Sequence, residues 1–198
     1  DIESSIDFGC SPLTVSFMNE TTDTDFWTWN YDDQTPNDIV EDPTHIFENN
    51  SLELQSFDVQ LNALNLQGCE ASGVLNINVF PEPISEFEIS EELLCGVPST
   101  IYLTNNSYGA QTYSWNFNGQ PSSIDIEPAF EATQIGNQEI DLLVTNSFEC
   151  TSISTQVIEV FETPIPQVLI SPQEGCEPLE ILVEDISLGA ISTNISIA

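Results

Sequence analysis

Between Trp27 and Phe47 the chain reads WTWNYDDQTPNDIVEDPTHIF, a stretch that holds its only histidine, His45, among aspartates. A histidine beside carboxylates can ligate a metal or transfer a proton, provided that further groups converge on it. Asp23, Asp25, Asp32, Asp33 and Asp42 carry oxygens of the kind that Ca²⁺ collects about six to eight at a time, although their spacing is not that of an Asp-x-Asp-x-Asp-Gly loop. Trp27, Trp29 and Trp115 could stack on sugar rings. A β-sandwich usually buries one tryptophan per domain, and Trp27, expected on the opposite face of its strand from Trp29, is the surface candidate.

Such residues need a scaffold, and composition sets its character. The 198 residues include 33 Asp and Glu, no Lys or Arg and one His, a formal net charge of −33. A typical chain is about a quarter charged, with both signs present. Without basic side chains nothing neutralises phosphates, so nucleic acid is excluded as a partner. High charge with low hydrophobicity would indicate disorder, but 40% of the residues are apolar. The acidic residues never run longer than two together, as at Asp32-Asp33, Glu41-Asp42 and Glu91-Glu92. Their charge is spread over surfaces, where it attracts Ca²⁺ or Mg²⁺ loosely; no cofactor is expected. No apolar run approaches a membrane span and no basic-apolar export signal opens the chain. Membrane insertion is not expected in this segment, and any export signal is expected outside it.

Period-two alternation runs through Leu13 to Asn19, Phe57 to Leu66, Val74 to Phe80, Ile140 to Asn146 and Ile153 to Phe161, the pattern of half-buried strands. No convincing helical stripe is present, so the class is all-β. Landmarks recur. Cys10-Ser-Pro12, Cys95-Gly-Val-Pro98 and Cys176-Glu-Pro178 each precede a strand at steps of 85 and 81 residues, Trp29 and Trp115 are 86 apart, and Cys69 and Cys150, like Phe80 and Phe161, are 81 apart. The domains are therefore expected at 1–82, 83–163 and 164–198, the third completed by residues beyond 198. Strands and a central tryptophan in about 80 residues suit immunoglobulin-like sandwiches in tandem. The prolines of the linkers, Pro81 and Pro83, then Pro164 and Pro166, favour an extended array.

The second repeat tests the opening stretch. Trp115-Asn116-Phe117 matches Trp29-Asn30-Tyr31, and Glu127-Pro128-Ala129-Phe130 stands where Asp42-Pro43-Thr44-His45-Ile46-Phe47 does. The aromatic residues and the proline persist, whereas His45 and the Asp32-Asp33 pair do not. That loss favours a structural histidine tying a loop to the sandwich over a ligand or base, and one histidine cannot supply a nucleophile–histidine–acid set to both repeats. Trp29, Pro43, His45, Phe47, Trp115 and Pro128 form the fold signature. Asn19, Asn49, Asn105 and Asn194 head Asn-x-Ser/Thr tripeptides, which such a composition produces by coincidence.

These segments resemble the polycystic-kidney-disease (PKD) repeat, with its Trp-Asp-Phe-Gly-Asp-Gly segment followed by Asn-Pro-x-His-x-Tyr. Here Trp29-Asn30-Tyr31-Asp32-Asp33 and Asp42-Pro43-Thr44-His45-Ile46-Phe47 occupy those places, the glycines being replaced. With a Cys-x-Pro before one strand and a second Cys after a later one, the chain looks like the divergent tandem PKD repeats in giant surface adhesins of gliding Bacteroidota. The resemblance implies a non-catalytic segment, type IX export, attachment at the outer membrane surface, and gliding motility. The implied partners are neighbouring repeats, the motility and secretion machinery, and external surfaces or polysaccharide touched by other parts of the chain.

Cysteine pairing follows from topology. Cys10 precedes the strand taken as the second of the sandwich, at the C-terminal end of its domain, whereas Cys69 follows the sixth strand, at the N-terminal end. A strand of eight or nine residues separates those ends by roughly 25–30 Å, and a disulfide needs Cα atoms within about 7 Å. In a head-to-tail array the turn holding Cys10 faces the hairpin of the next domain. The expected bond is Cys10–Cys150, with Cys69, Cys95 and Cys176 pairing to domains outside the segment.

Two functions fit: a protease-resistant stalk of equivalent repeats forming a filament, or accessory carbohydrate- or protein-binding modules of a secreted hydrolase. Three successive copies on short linkers favour the stalk. The absence of Lys and Arg leaves trypsin-like proteases no cleavage site in this segment.

Overall fold

The computed structural model describes residues 1–91 and 93–194; Glu92 and the end of the third expected repeat, 195–198, lie outside the described residues. Alternation decides where strands form. β1 (Ile2–Ser4), β2 (Phe8–Cys10), β3 (Leu13–Asn19), β4 (Phe26–Asn30), β5 (Thr44–Phe47), β6 (Gln55–Leu64) and β7 (Glu70–Phe80) build the first sandwich. On β3, Leu13, Val15 and Phe17 are buried while Thr14, Ser16 and Met18 are exposed. Each such burial stabilises by about 1.5–3 kcal/mol, so a slip of one residue would invert the strand and lose all three.

β1, β3 and β5 make one sheet, and β2, β7, β6 and β4, in that order, the other. The N-terminal segment changes sheets, pairing antiparallel with β3 through Ile2–Ser4 and parallel with β7 through Phe8–Cys10. It thereby covers an edge of each sheet that would otherwise be open to pairing. β7 begins earlier than alternation implies because Glu70 to Gly73 lack an apolar rhythm, yet they pair with β6 up to Leu64↔Glu70.

The second sandwich repeats the plan with β8 (Phe87–Ile89), β9 (Leu94–Cys95), β10 (Ser99–Asn105), β11 (Thr112–Phe117), β12 (Gln120–Ser123), β13 (Ala129–Ala132), β14 (Gly136–Thr145) and β15 (Thr151–Phe161). Its sheets are β13-β10-β8 and β12-β11-β14-β15-β9. The added hairpin from β11 to β12 turns at Asn118 and Gly119, with φ of 51° and 73°, the left-handed pair that an Asn-Gly turn supplies. In the first sandwich the corresponding segment makes only a bridge from Trp29 to Asp38. Past it, β16 (Val168–Ser171) and β17 (Leu182–Asp185) form a two-stranded sheet.

Each sandwich has its own core. Trp29, Phe47, Val59, Leu61 and Ile77 lie at the centre of one, and Trp115, Ile101, Ile140, Leu142 and Val160 at the centre of the other. The indoles are used alike: Trp29 Nε1 donates to Val40 O at 3.1 Å, and Trp115 Nε1 to Asp125 O at 2.9 Å. Pro43 and Pro128 are both buried, and their carbonyls accept from Phe17 N at 2.9 Å and Leu103 N at 3.2 Å. These contacts explain why tryptophan and proline persist across the repeats.

Trp27 does not lie opposite Trp29. Residues two apart on a strand point the same way, and Trp27 packs, partly buried, against the first core. Its Nε1 donates to Thr24 Oγ1 at 3.1 Å. The aromatic side chain presented outward by this strand is that of Phe26, 55% exposed.

Candidate functional site

The turn after β4 lacks the glycines of the PKD pattern, yet Asp32 and Gln34 take φ of 60° and 67°. Side-chain acceptors hold the turn instead. Asn30 Oδ1 accepts from Asp32 N at 2.9 Å, and Asp33 Oδ1 accepts from Thr35 N at 3.0 Å, each the local bond that makes Asn and Asp turn formers. The other oxygen of Asp33 accepts from His45 Nε2 at 2.6 Å, with the two side chains 11% and 13% exposed. Burial alone would raise the Asp33 pKa, but hydrogen bonds from Thr35 and His45 outweigh it and hold the carboxyl below its usual range.

The His45 ring lies flat on Tyr31, with centroids 3.7 Å apart and planes 6° apart, and meets Phe47 edge-on. Burial, reinforced by the bond from Tyr31 OH to Asp38 Oδ2 at 2.8 Å, drives the Tyr31 hydroxyl far above its ordinary pKa. The second sandwich shows what this stack is for. Phe130 occupies the place of His45, since Ile101↔Phe130 on β10 and β13 repeats Val15↔His45 on β3 and β5. It stacks on Phe117 at 5.2 Å and 4°. A phenyl ring replaces the imidazole in the same stack, so the role shared by the two positions is packing.

The other aspartates are dispersed among backbone donors. Asp25 Oδ2 accepts from Leu66 N at 2.8 Å, and Asp42 Oδ1 from Asn19 N at 2.9 Å. Asp32 lies in the turn beside Asp33, and Asp23 takes φ of 61° before β4. Among the described residues no group of three or more His, Cys, Asp or Glu is placed to hold a metal ion. Asn49 is buried, its amide donating to Glu53 O and Val79 O; the tripeptide at Asn194 runs outside the described residues.

The densest meeting of chemistry across distant sequence is instead the joint between the sandwiches. Cys10 and Cys150 are joined by a disulfide, with Cα atoms 5.6 Å apart and a separation of 140 positions in sequence. Phe80, at the end of β7, stacks on Phe148 with centroids 4.9 Å apart and planes at 11°. Asn146 Nδ2 donates to the linker carbonyl of Pro81 at 2.8 Å, while its Oδ1 accepts from Phe148 N and Cys150 N. One asparagine thus shapes the hairpin from β14 to β15 and fastens it to the linker. The cysteine pair across the junction was readable from topology; Asn146 and Phe148 were missed. Asn65-x-x-x-Cys69 recurring as Asn146-x-x-x-Cys150 is the signal that marks the asparagine. Cys69, Cys95 and Cys176 are unpaired and exposed.

No family model matches the chain, and no curated protein does. Among solved structures it is similar to the PKD1 domain of the Vibrio cholerae metalloprotease PrtV, at 26% identity over 40% of this chain and 98% of that one, with a TM-score of 0.35. The PKD1 domain of Vibrio anguillarum Epp is similar at 26% identity over 41% and 96%, with a TM-score of 0.36. A Ca²⁺-stabilized adhesin with which an Antarctic bacterium binds ice is similar at 12% identity over 86% and 51%, with a TM-score of 0.35. The fold is immunoglobulin-like and PKD-like. It is drawn by the chain's own strand order, the sheet change of the first strand and the buried tryptophan of each core.

Proposed function

We propose that this chain is a non-catalytic segment of an exported surface adhesin, in which PKD-like domains coupled end to end form a stalk. The observation that carries this reading is the joint: a disulfide, a ring stack and a side-chain bond to the linker, all between consecutive sandwiches. A disulfide persists in an oxidising, extracellular setting. Because Cys10 is bonded to Cys150, tension entering before the first sandwich leaves through the last strand of the second without passing along residues 11–149. The strands between the two cysteines, which carry most of both cores, are spared the load by one covalent bond, as a tether requires. Acidic neighbours repel over about 8–10 Å in physiological salt, which favours extension, and the absence of Lys and Arg denies trypsin-like proteases a site.

Outer-membrane attachment, type IX export, gliding and contact with surfaces or polysaccharide through other parts of the chain complete the proposal; they rest on the resemblance of the repeats. The test is to label intact cells with an antibody to the second sandwich before and after trypsin. Labelled, trypsin-resistant filaments are expected. Antigen released into the medium on a chain that carries a catalytic domain would overturn the stalk in favour of an accessory module of a hydrolase.

A further inference from the structure

We infer that hairpin 65–69 of the first sandwich is a docking element whose partner is the C-terminal end of another sandwich of this same construction, an inference that rests on the stalk reading above. The two hairpins of the chain are built alike. Asn65 N donates to Cys69 O, and Asn65 Oδ1 accepts from Gln67 N and Cys69 N; Asn146 makes the same three bonds with Cys150 and Phe148. The second hairpin is engaged: Asn146 Nδ2 bonds to Pro81 O, and Cys150 is bonded to Cys10 and 1% exposed. In the first, the Cys69 thiol is exposed and Leu66 is 72% exposed. Its fold is complete before anything covers it.

The receiving end also occurs twice in the chain. Where the hairpin is seated, Cys10 pairs with Phe80 across parallel strands, and Ser11 N donates to Phe80 O at 2.9 Å. At the end of the second sandwich Cys95 pairs with Phe161 in the same way, and Gly96 N donates to Phe161 O at 2.8 Å. There Cys95 is exposed, and Phe161 is 40% exposed. The site that accepts a hairpin such as 65–69 is therefore a cysteine beside a terminal Phe, with the linker carbonyl next to it to receive Asn65 Nδ2. Bond formation needs a disulfide oxidant such as oxidised glutathione. The Cys69 thiolate displaces one glutathione thiolate to give a mixed disulfide, and the partner thiolate displaces the second. Two thiols are oxidised, and one disulfide is reduced to two glutathiones.

The test is a chain in which residues 83–167 are repeated ahead of residue 2, which places a Cys95-type end before hairpin 65–69. After oxidation with oxidised glutathione, non-reducing peptide mapping should link Cys69 to the added copy of Cys95. The chain should show one free thiol fewer than its Cys69→Ser variant, although it carries one more cysteine. Asn65→Ala should slow the pairing by at least about fivefold, since it removes the docking bond together with the two that shape the hairpin, and leave Cys10–Cys150 intact. Alkylation of Cys69 in the oxidised chain, or its linkage to any other cysteine, overturns the inference. That outcome, with surface filaments still labelled and Cys10–Cys150 retained, leaves the stalk standing; a soluble hydrolase-linked antigen removes the stalk whatever Cys69 does.

Discussion

The two sandwiches share a plan but close the same corner differently. In the first, Phe17, Tyr31, His45, Phe47 and Phe57 form an aromatic cluster, with Phe47 and Phe57 at 5.0 Å and Phe17 and Tyr31 at 5.8 Å. In the second, the strand positions of Phe47 and Phe57 are held by Ala132 and Gln138. Gln138 is 3% exposed, accepts from Asn118 Nδ2 at 2.7 Å, and donates to Gln134 O and Gly136 O at 3.2 Å. A polar network anchored on the added hairpin thus stands where the first sandwich has rings. Because the space is filled in both, the corner demands occupancy with its polar groups satisfied, and the particular side chains are free to change together.

Breaking each corner separately should show this. Phe47→Ala gives the first sandwich the small residue of the second without its glutamine network, and a loss of about 3–5 kcal/mol is expected, read from hydrogen exchange on β3. A loss below about 1 kcal/mol would mean that the rings do not hold that corner. Gln138→Ala removes the three hydrogen bonds of this network, and a loss of about 1–3 kcal/mol is expected on β10 with β3 unchanged.

Asp33→Asn weakens the turn in the first sandwich alone, by about 0.5–1.5 kcal/mol at neutral pH. The carboxyl of Asp33 titrates lower when folded than when unfolded. Its contribution is therefore present above the unfolded value of about 3.9 and is lost as the pH falls through the folded one. The acid-induced fall in the first sandwich's melting temperature should be smaller in the variant, and an unchanged acid profile would remove Asp33 from that role. His45→Phe copies Phe130 and keeps the stack but removes the bond to Asp33, so a loss of about 0.5–1.5 kcal/mol, similar to that of Asp33→Asn, is expected by denaturant titration.

Much of this was legible in the sequence, for identifiable reasons. The β3 alternation and the buried Trp29 and Trp115 could be read because burial imposes a period and a side-chain type. The Cys10–Cys150 bond followed from strand length, since a sandwich keeps its two ends too far apart for Cys10 to reach Cys69. The equivalence of His45 and Phe130 was hidden because a stack selects for flat rings, which imidazole and phenyl share while their letters differ. The Ala132 and Gln138 exchange was hidden for a related reason: each residue looks wrong for a core until the other is seen. Trp27 was misplaced by taking a residue two before Trp29 as if it were adjacent.

The load path through the joint is tested most directly by stretching single chains by their two ends. With the Cys10–Cys150 bond intact, residues 11–149 should never lengthen the chain at forces that unfold β-sandwiches. Reduction, or Cys150→Ser, should release roughly 450–500 Å of contour, from 140 residues at about 3.3–3.6 Å each. Stepwise unfolding of both whole sandwiches in the oxidised chain would contradict the covalent joint.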